Sequence, residues 1–254
     1  MPERVLLTGW GRTAPSAATV HAVDREQVAA LVGAAGERGL LARGLGRSYG
    51  DAAQNAGGEV LRLDPDGPVH LDAARAVVDV AAGVSLDRLI RELLPHGFFV
   101  PVTPGTRHVT VGGAIASDVH GKNHHVDGTF GEHVLRIDLV TADGQVRVLT
   151  PEATPELFWA TVGGMGLTGV VVSAQVRVRP VETSLMRVDT DRAANLDELL
   201  ALMAGDDAYT YSVAWIDLLA RGRALGRSVL TRGEHARLDE LPRGRTASPL
   251  AFTA

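Results

Sequence analysis

The chain of 254 residues is long enough for one large domain or two smaller ones, and with 45% hydrophobic and 22% charged residues it has a globular composition. A net charge of −5 argues against a nucleic-acid binder, and the lack of cysteine removes disulfides and thiolate metal sites. No run of about 18 apolar residues reads as a membrane span, and the N-terminus lacks the apolar stretch of a signal peptide, so a cytoplasmic location is the default while peripheral membrane contact stays open.

In chain order, Asp24-Arg25-Glu26-Gln27 reads as a capping box opening a helix to about Ala35, with Val28, Leu31 and Val32 on one face. Leu40 to Ala42, Glu59 to Leu63 and Ala76 to Ala81 read as short strands. Ser85 is expected to cap a helix running to Leu94, with Leu86, Leu89, Ile90 and Leu93 at helical spacing. Phe98 to Val100 leads into a histidine-rich segment. Val134 to Val140 and Gln145 to Leu149 flank Ala142-Asp143-Gly144, a hairpin signal. Thr154-Pro155-Glu156 opens a helix that Gly163-Gly164 ends; its Phe158 and Trp159 are expected in the core. Val170 to Val178 alternates apolar and polar residues, and Pro180 closes it. The pattern is α+β, with short elements and long functional loops.

Beyond Pro180 the character changes, and a second domain is expected from about residue 181. Asn195 to Met203 reads as a helix; Tyr209 to Ile216 and Ala224 to Thr231 read as strands. Arg237 to Ala254 has weak periodicity, so a truncated chain is expected.

The most informative stretch is Pro104 to His125. It combines dense glycine with a polar cluster, and glycine lets the main chain approach a ligand and aim N–H groups at phosphate oxygens. Lys122, the only lysine, lies within it. A second glycine segment is Arg43-Gly44-Leu45-Gly46-Arg47-Ser48-Tyr49-Gly50-Asp51, where arginines beside glycines suit a phosphate. Neither is a dinucleotide fingerprint, because Tyr49 stands at the third glycine position. Gly164-Met165-Gly166-Leu167-Thr168-Gly169 fits the pattern but lies between helix and strand, the reverse of the required order. His120 and His124 are four apart, yet Gly121 and Asn123 weaken a helix there and no H-E-x-x-H is present, so no metal is expected. Trp215 suits a substrate pocket and a buried strand position equally.

These segments resemble the FAD-binding domain of the vanillyl-alcohol oxidase/p-cresol methylhydroxylase superfamily. The text that carries the resemblance is Leu7 to Ser16, Ala42 to Asp51, His120-Gly121-Lys122-Asn123-His124-His125, Leu157 to Gly164 and Tyr209 to Trp215. Within the superfamily it is similar to the oxidases of polyprenyl-phosphate-linked ribose, over essentially the whole chain. The resemblance implies an FAD-binding domain of two small α/β subdomains over residues 1–180. It also implies the incomplete start of an antiparallel-sheet substrate domain over 181–254. The implied activity is oxidation of the ribose 2-hydroxyl to a keto group with FAD as hydride acceptor. An NAD-dependent keto-reductase partner would complete epimerisation to the arabinose donor of actinobacterial cell walls, at the membrane or the cell envelope.

By the same resemblance, Arg43, Gly44, Leu45, Gly46, Arg47, Ser48 and Tyr49 wrap the FAD pyrophosphate. Gly105, Thr106, Val111, Gly112, Gly113, Ala116, Ser117, His120, Gly121, Asn123 and His124 run along the ribityl and ring portions, and Gly166, Gly169, Val170 and Val171 complete the cofactor set. His120 and Lys122 are the implied catalytic residues; with Gly105 and Trp215 they form the implied substrate side. The chemistry suits flavin, since a cation or N–H donor stabilises the negative charge of the two-electron-reduced ring. His120 is alternatively the acceptor of the substrate hydroxyl proton. The first glycine loop carries no histidine, so noncovalent FAD is expected. Ser117 stands where some relatives have cysteine. Family members run well past residue 254 and return to the FAD domain with a lysine and a tyrosine, so the site is expected to be half built. A sugar or aldonolactone oxidase, and a non-catalytic FAD-binding fragment, remain the alternatives.

Overall fold

The computed structural model describes residues 2–205 and 208–252. In the first lobe, β1 (Glu3–Leu7) and β2 (Ser16–Val23) pair antiparallel, α1 (Arg25–Gly33) follows, and β3 (Leu40–Ala42) and β4 (Glu59–Leu63) complete a sheet of order β1-β2-β4-β3. β4 runs parallel to both β2 and β3. Alternation along β2 places Ala18 and Val20 against Val60, a small core of their own. The Asp24 amide donates to Gln27 Oε1 at 3.1 Å, as the capping pattern predicts. α1 buries Val28 against Leu61 and three valines of the second lobe, Val140, Val170 and Val172, so this helix joins the lobes.

The second lobe contains β5 (Val69–Asp72), β6 (Val77–Ala81), α2 (Leu86–Leu93), β7 (Phe98–Phe99), α3 (Val111–Ala116), α4 (His124–Asp127), β8 (Val134–Val140), β9 (Val146–Leu149), α5 (Pro155–Thr161), β10 (Val170–Arg177) and β11 (Arg179–Pro180). Its main sheet has the order β5-β6-β10-β8-β9 and is antiparallel throughout. Ser85 Oγ accepts the Arg88 amide at 3.1 Å and starts α2. Leu86, Leu89, Ile90 and Leu93 are buried against Val78, Val80 and Ile137, each contributing on the order of 1.5–3 kcal/mol. Arg88 donates to the carbonyls of Pro65 and Gly67 at 2.8 and 2.9 Å, pinning the interlobe link to α2. The β8–β9 turn closes as expected, with Gly144 at φ +74° and the Thr141 amide bonded to Gln145 O at 3.0 Å. α5 starts at Pro155 and buries Phe158, but Trp159 is 47% exposed and stacks edge-on against Phe158 instead of entering the core.

A third sheet has the order β12-β14-β13, from β12 (Met186–Ala193), β13 (Tyr211–Ile216) and β14 (Ser228–His235), with α6 (Leu196–Met203) capped by Asn195 Oδ1. The strand expected over Ala224 to Thr231 instead begins at Ser228 and runs to His235. Gly226, at φ +73°, breaks the extended path before it. β12 was not expected, because Met186 to Thr190 are all exposed and show no apolar period. The α+β class and the multiple antiparallel sheets agree with expectation.

Candidate functional site

A cleft separates the two lobes. One wall is Ala42 to Leu45 and Leu61 to Leu63 of the first lobe; the other is Ala82, Gly83, Thr110, Gly112, Gly113, Ala116 and Val171 of the second, with Met165, Gly166 and Gly169 at the rim. Local chemistry explains the closeness of the walls. Thr110 caps α3, accepting the Gly113 amide at 3.1 Å, and lies so near Gly44 that a Cβ there would come within 2.5 Å of Thr110 Oγ1. A Cβ on Gly112 would sit 3.1 Å from Ala82 Cβ. Glycine at these positions is what lets loop, helix and strand meet.

The supply of free donors is asymmetric. The first amides of α3 are all spent inside the protein: Val111 on Val84 O, Gly112 on Ala82 O and Gly113 on Thr110. The amides of Gly44, Leu45, Gly46, Arg47 and Ser48 donate to nothing within the described residues. Such a run of orphan N–H groups is a device for holding an anion. Arg43 is committed elsewhere: its guanidinium donates to Thr8 O at 2.7 Å and Ala53 O at 2.8 Å, and so shapes the loop. Burial, and then the nearby Arg62 charge, push its pKa down. Arg62 lines the cleft and has no hydrogen-bond or ion-pair partner among the described residues. Arg47 lies over the Trp10 ring at 4.4 Å and donates to His108 O at 3.0 Å, tying three segments together. The Trp10 and Gly11 amides donate to Ser48 O and Tyr49 O, so the N-terminal decapeptide straps the loop.

Beyond α3 the polar cluster continues in the open. Ser117, His120, Lys122 and His124 are exposed, and the His120 and His124 rings meet edge-on at 5.7 Å. The cluster is held from beneath. Asn123 is fully buried and donates to Pro101 O at 2.8 Å and Asp127 Oδ2 at 2.6 Å; Arg179 pairs with the same carboxylate. The Lys122 carbonyl accepts the Ser212 amide at 2.9 Å, and His125 Nε2 donates to Tyr209 O at 2.9 Å, so β13 is docked onto this segment. Among the described residues no three histidine, aspartate or glutamate side chains gather in a metal-holding group.

Of the residues singled out from sequence, Arg43, Gly44, Leu45, Gly112, Gly113, Ala116, Gly166, Gly169 and Val171 line the cleft. Gly46, Arg47, Ser48 and Tyr49 continue the loop beyond it. Val111 and Val170 are buried beneath the walls, and the Asn123 side chain is spent on scaffolding. Gly105 and Thr106 lie outside the cleft lining, as do His120, Gly121, Lys122 and His124. Trp215 is 75% exposed, which overturns burial in the strand and leaves the open position. Sequence reasoning passed over Leu61, Arg62, Leu63, Ala82, Gly83 and Thr110. A lone arginine inside Val60-Leu61-Arg62-Leu63, and small residues at a strand end before a capped helix, were the signals.

A family model described as an FAD binding domain matches residues 16–150. The chain is 50% identical to a decaprenylphosphoryl-beta-D-ribose oxidase of Mycolicibacterium smegmatis over 98% of its own length and 56% of the relative's. It is 30% identical to an alditol oxidase of a Streptomyces species over 68% of this chain and 42% of the relative, and 29% identical to a D-lactate dehydrogenase of Archaeoglobus fulgidus over 66% and 40%. The chain thus spans about half the length of the curated relatives it matches. With the family model covering more than half of the chain, on the two lobes that form the cleft, the protein belongs to the FAD-binding domain family of the p-cresol methylhydroxylase type.

Proposed function

We propose that this chain is the FAD-binding part of an oxidoreductase that converts the 2-hydroxyl of a polyprenylphosphoryl ribose to a ketone. The observation that carries the reading is the 50% identity to an oxidase of that substrate across 98% of the chain. FAD suits the residues present: the free amides from Gly44 to Ser48 match a pyrophosphate, the unpartnered Arg62 adds a cation, and Leu61, Leu63 and Val171 offer apolar walls. FAD, when bound, supplies the two-electron acceptor.

The chain's own residues then divide the work. The cleft holds the cofactor and excludes water from it. His120 takes the proton of the 2-hydroxyl as the carbon-bound hydrogen leaves as hydride, and Lys122 places a positive charge on the same open face. The buried Asn123–Asp127–Arg179 network holds this segment in position. Trp215, exposed on the docked strand, contacts the sugar. A keto-reductase using NAD consumes the product. The lipid-linked substrate brings the protein into peripheral contact with a membrane; no described helix is long and apolar enough to cross one.

The test is turnover of a polyprenylphosphoryl ribose analogue by a full-length form. His120→Ala is expected to lose about 10²–10⁴-fold in rate while keeping its FAD. Undiminished turnover would remove His120 from the mechanism. The similarity to an alditol oxidase supports a second reading, oxidation of a free sugar alcohol, which turnover of an alditol and none of the ribose lipid would favour.

A further inference from the structure

The turn between β13 and β14 is built unlike the other surface turns. Leu218 and Leu219, adjacent at its tip, are 84% and 90% exposed, and Trp215, Ile216 and Leu225 beside them are also exposed. Single exposed leucines are ordinary; a cluster on one projection is not. The tip is also held in place. Asp217 Oδ1 accepts the amides of Leu219 and Ala220 at 2.9 and 3.1 Å, while Oδ2 accepts Arg227 Nε at 2.8 Å. The Asp217 amide donates to Arg227 O at 2.9 Å, and Leu225 to Gly222 O at 3.2 Å. The leucines are therefore presented to solvent by a closed turn and cannot fold back without breaking it.

Charge selects the partner. Asp217 and Arg227 neutralise each other, but Arg221 and Arg223 are exposed and have no partner among the described residues. A local surplus of positive charge thus rims an apolar tip on a chain whose net charge is −5. We infer that this turn is a membrane wedge: Leu218 and Leu219 enter the headgroup–acyl boundary of an anionic bilayer, and Arg221 and Arg223 meet lipid phosphates. A projecting tip fits a membrane better than a protein, because a stable protein interface needs about 800 Å² from each partner, whereas a wedge needs only its own side chains. The inference gives the membrane contact of the proposed function a location, yet it is read without turnover, so its failure leaves the oxidoreductase reading standing.

Flotation of the purified protein with vesicles tests it. Binding is expected to vesicles of phosphatidylcholine mixed with phosphatidylglycerol and not to phosphatidylcholine alone. Arg221→Ala with Arg223→Ala is expected to weaken that binding roughly thirtyfold, and Leu218→Ser with Leu219→Ser to abolish it, at unchanged melting temperature. Because the chain has no cysteine, Leu219→Cys carrying an environment-sensitive dye reports insertion independently. A blue shift on adding the mixed vesicles supports the wedge. No binding by the wild type, binding indifferent to both variant pairs, or an unshifted dye would overturn it. So would light scattering that shows self-association lost in the leucine pair without vesicle binding, which would assign the tip to a second copy of the chain.

Discussion

Two residues decide how the first glycine loop works. Gly46 adopts φ +66°, and a Cβ there would occupy the space of the Arg43 guanidinium. Gly46→Val therefore combines a left-handed backbone cost of about 1–2 kcal/mol with displacement of the arginine that secures Thr8 and Ala53. It is expected to purify with little or no visible flavin absorbance and a lowered melting temperature; full flavin content would show that the loop does not hold the cofactor. Arg62 is the complementary case, a cleft cation with no protein partner to lose. Arg62→Ala should leave the melting temperature of the cofactor-free chain unchanged. A charge-assisted hydrogen bond contributes about 1.5–3 kcal/mol, so FAD affinity should fall at least tenfold. Equal affinity by flavin-fluorescence titration would mean that Arg62 faces solvent in the holoprotein.

At the scale of elements, the junction between the second lobe and the third sheet is a titratable contact. His235 of β14 packs edge-on against Phe99 of β7 and lies 3.1 Å from the Tyr211 hydroxyl of β13. Burial lowers its pKa from 6.5; the Arg179 charge works in the same direction and Glu234 against it. Below pH 6.5 the unfolded chain gains a proton here that the folded chain does not, so folding stability must decline as pH falls from there toward the folded pKa, and must be unaffected above it. His235→Gln removes this titration and keeps a polar partner for Tyr211. The gap in melting temperature between wild type and variant is expected to be constant above neutrality and to move against the wild type between pH 6.5 and 5. A constant gap over the whole range would place the ring in water.

For the whole molecule, the strap of residues 8–12, the loop and α3 enclose the cofactor by backbone contacts, and the loop from Arg43 to Asp51 carries no histidine. Acid precipitation of the holoprotein is expected to release all yellow colour to the supernatant. A yellow pellet would require a covalent link from another part of the chain.

The elements with a local signature were legible in the sequence. α2 follows from Ser85 and the spacing of Leu86, Leu89, Ile90 and Leu93; the β8–β9 hairpin follows from Asp143-Gly144; the glycine loops marked where backbone meets ligand. Each depends on neighbours within a turn or two, which sequence displays directly. α3 was hidden, since two glycines in six residues weaken a helix by about 1 kcal/mol each, and it exists because Val111, Ala114 and Ile115 are fully buried. β12 was hidden because it is exposed on its length and held by pairing with β14. The division of the site was also a tertiary matter. Sequence placed Arg43 beside a phosphate, whereas two carbonyls distant in the chain claim its guanidinium and leave the amides of residues 44–48 as the free donors. Which donor is already satisfied depends on partners brought together only by folding, so residue types and spacing named the loop while the packed structure decided which of its atoms can bind.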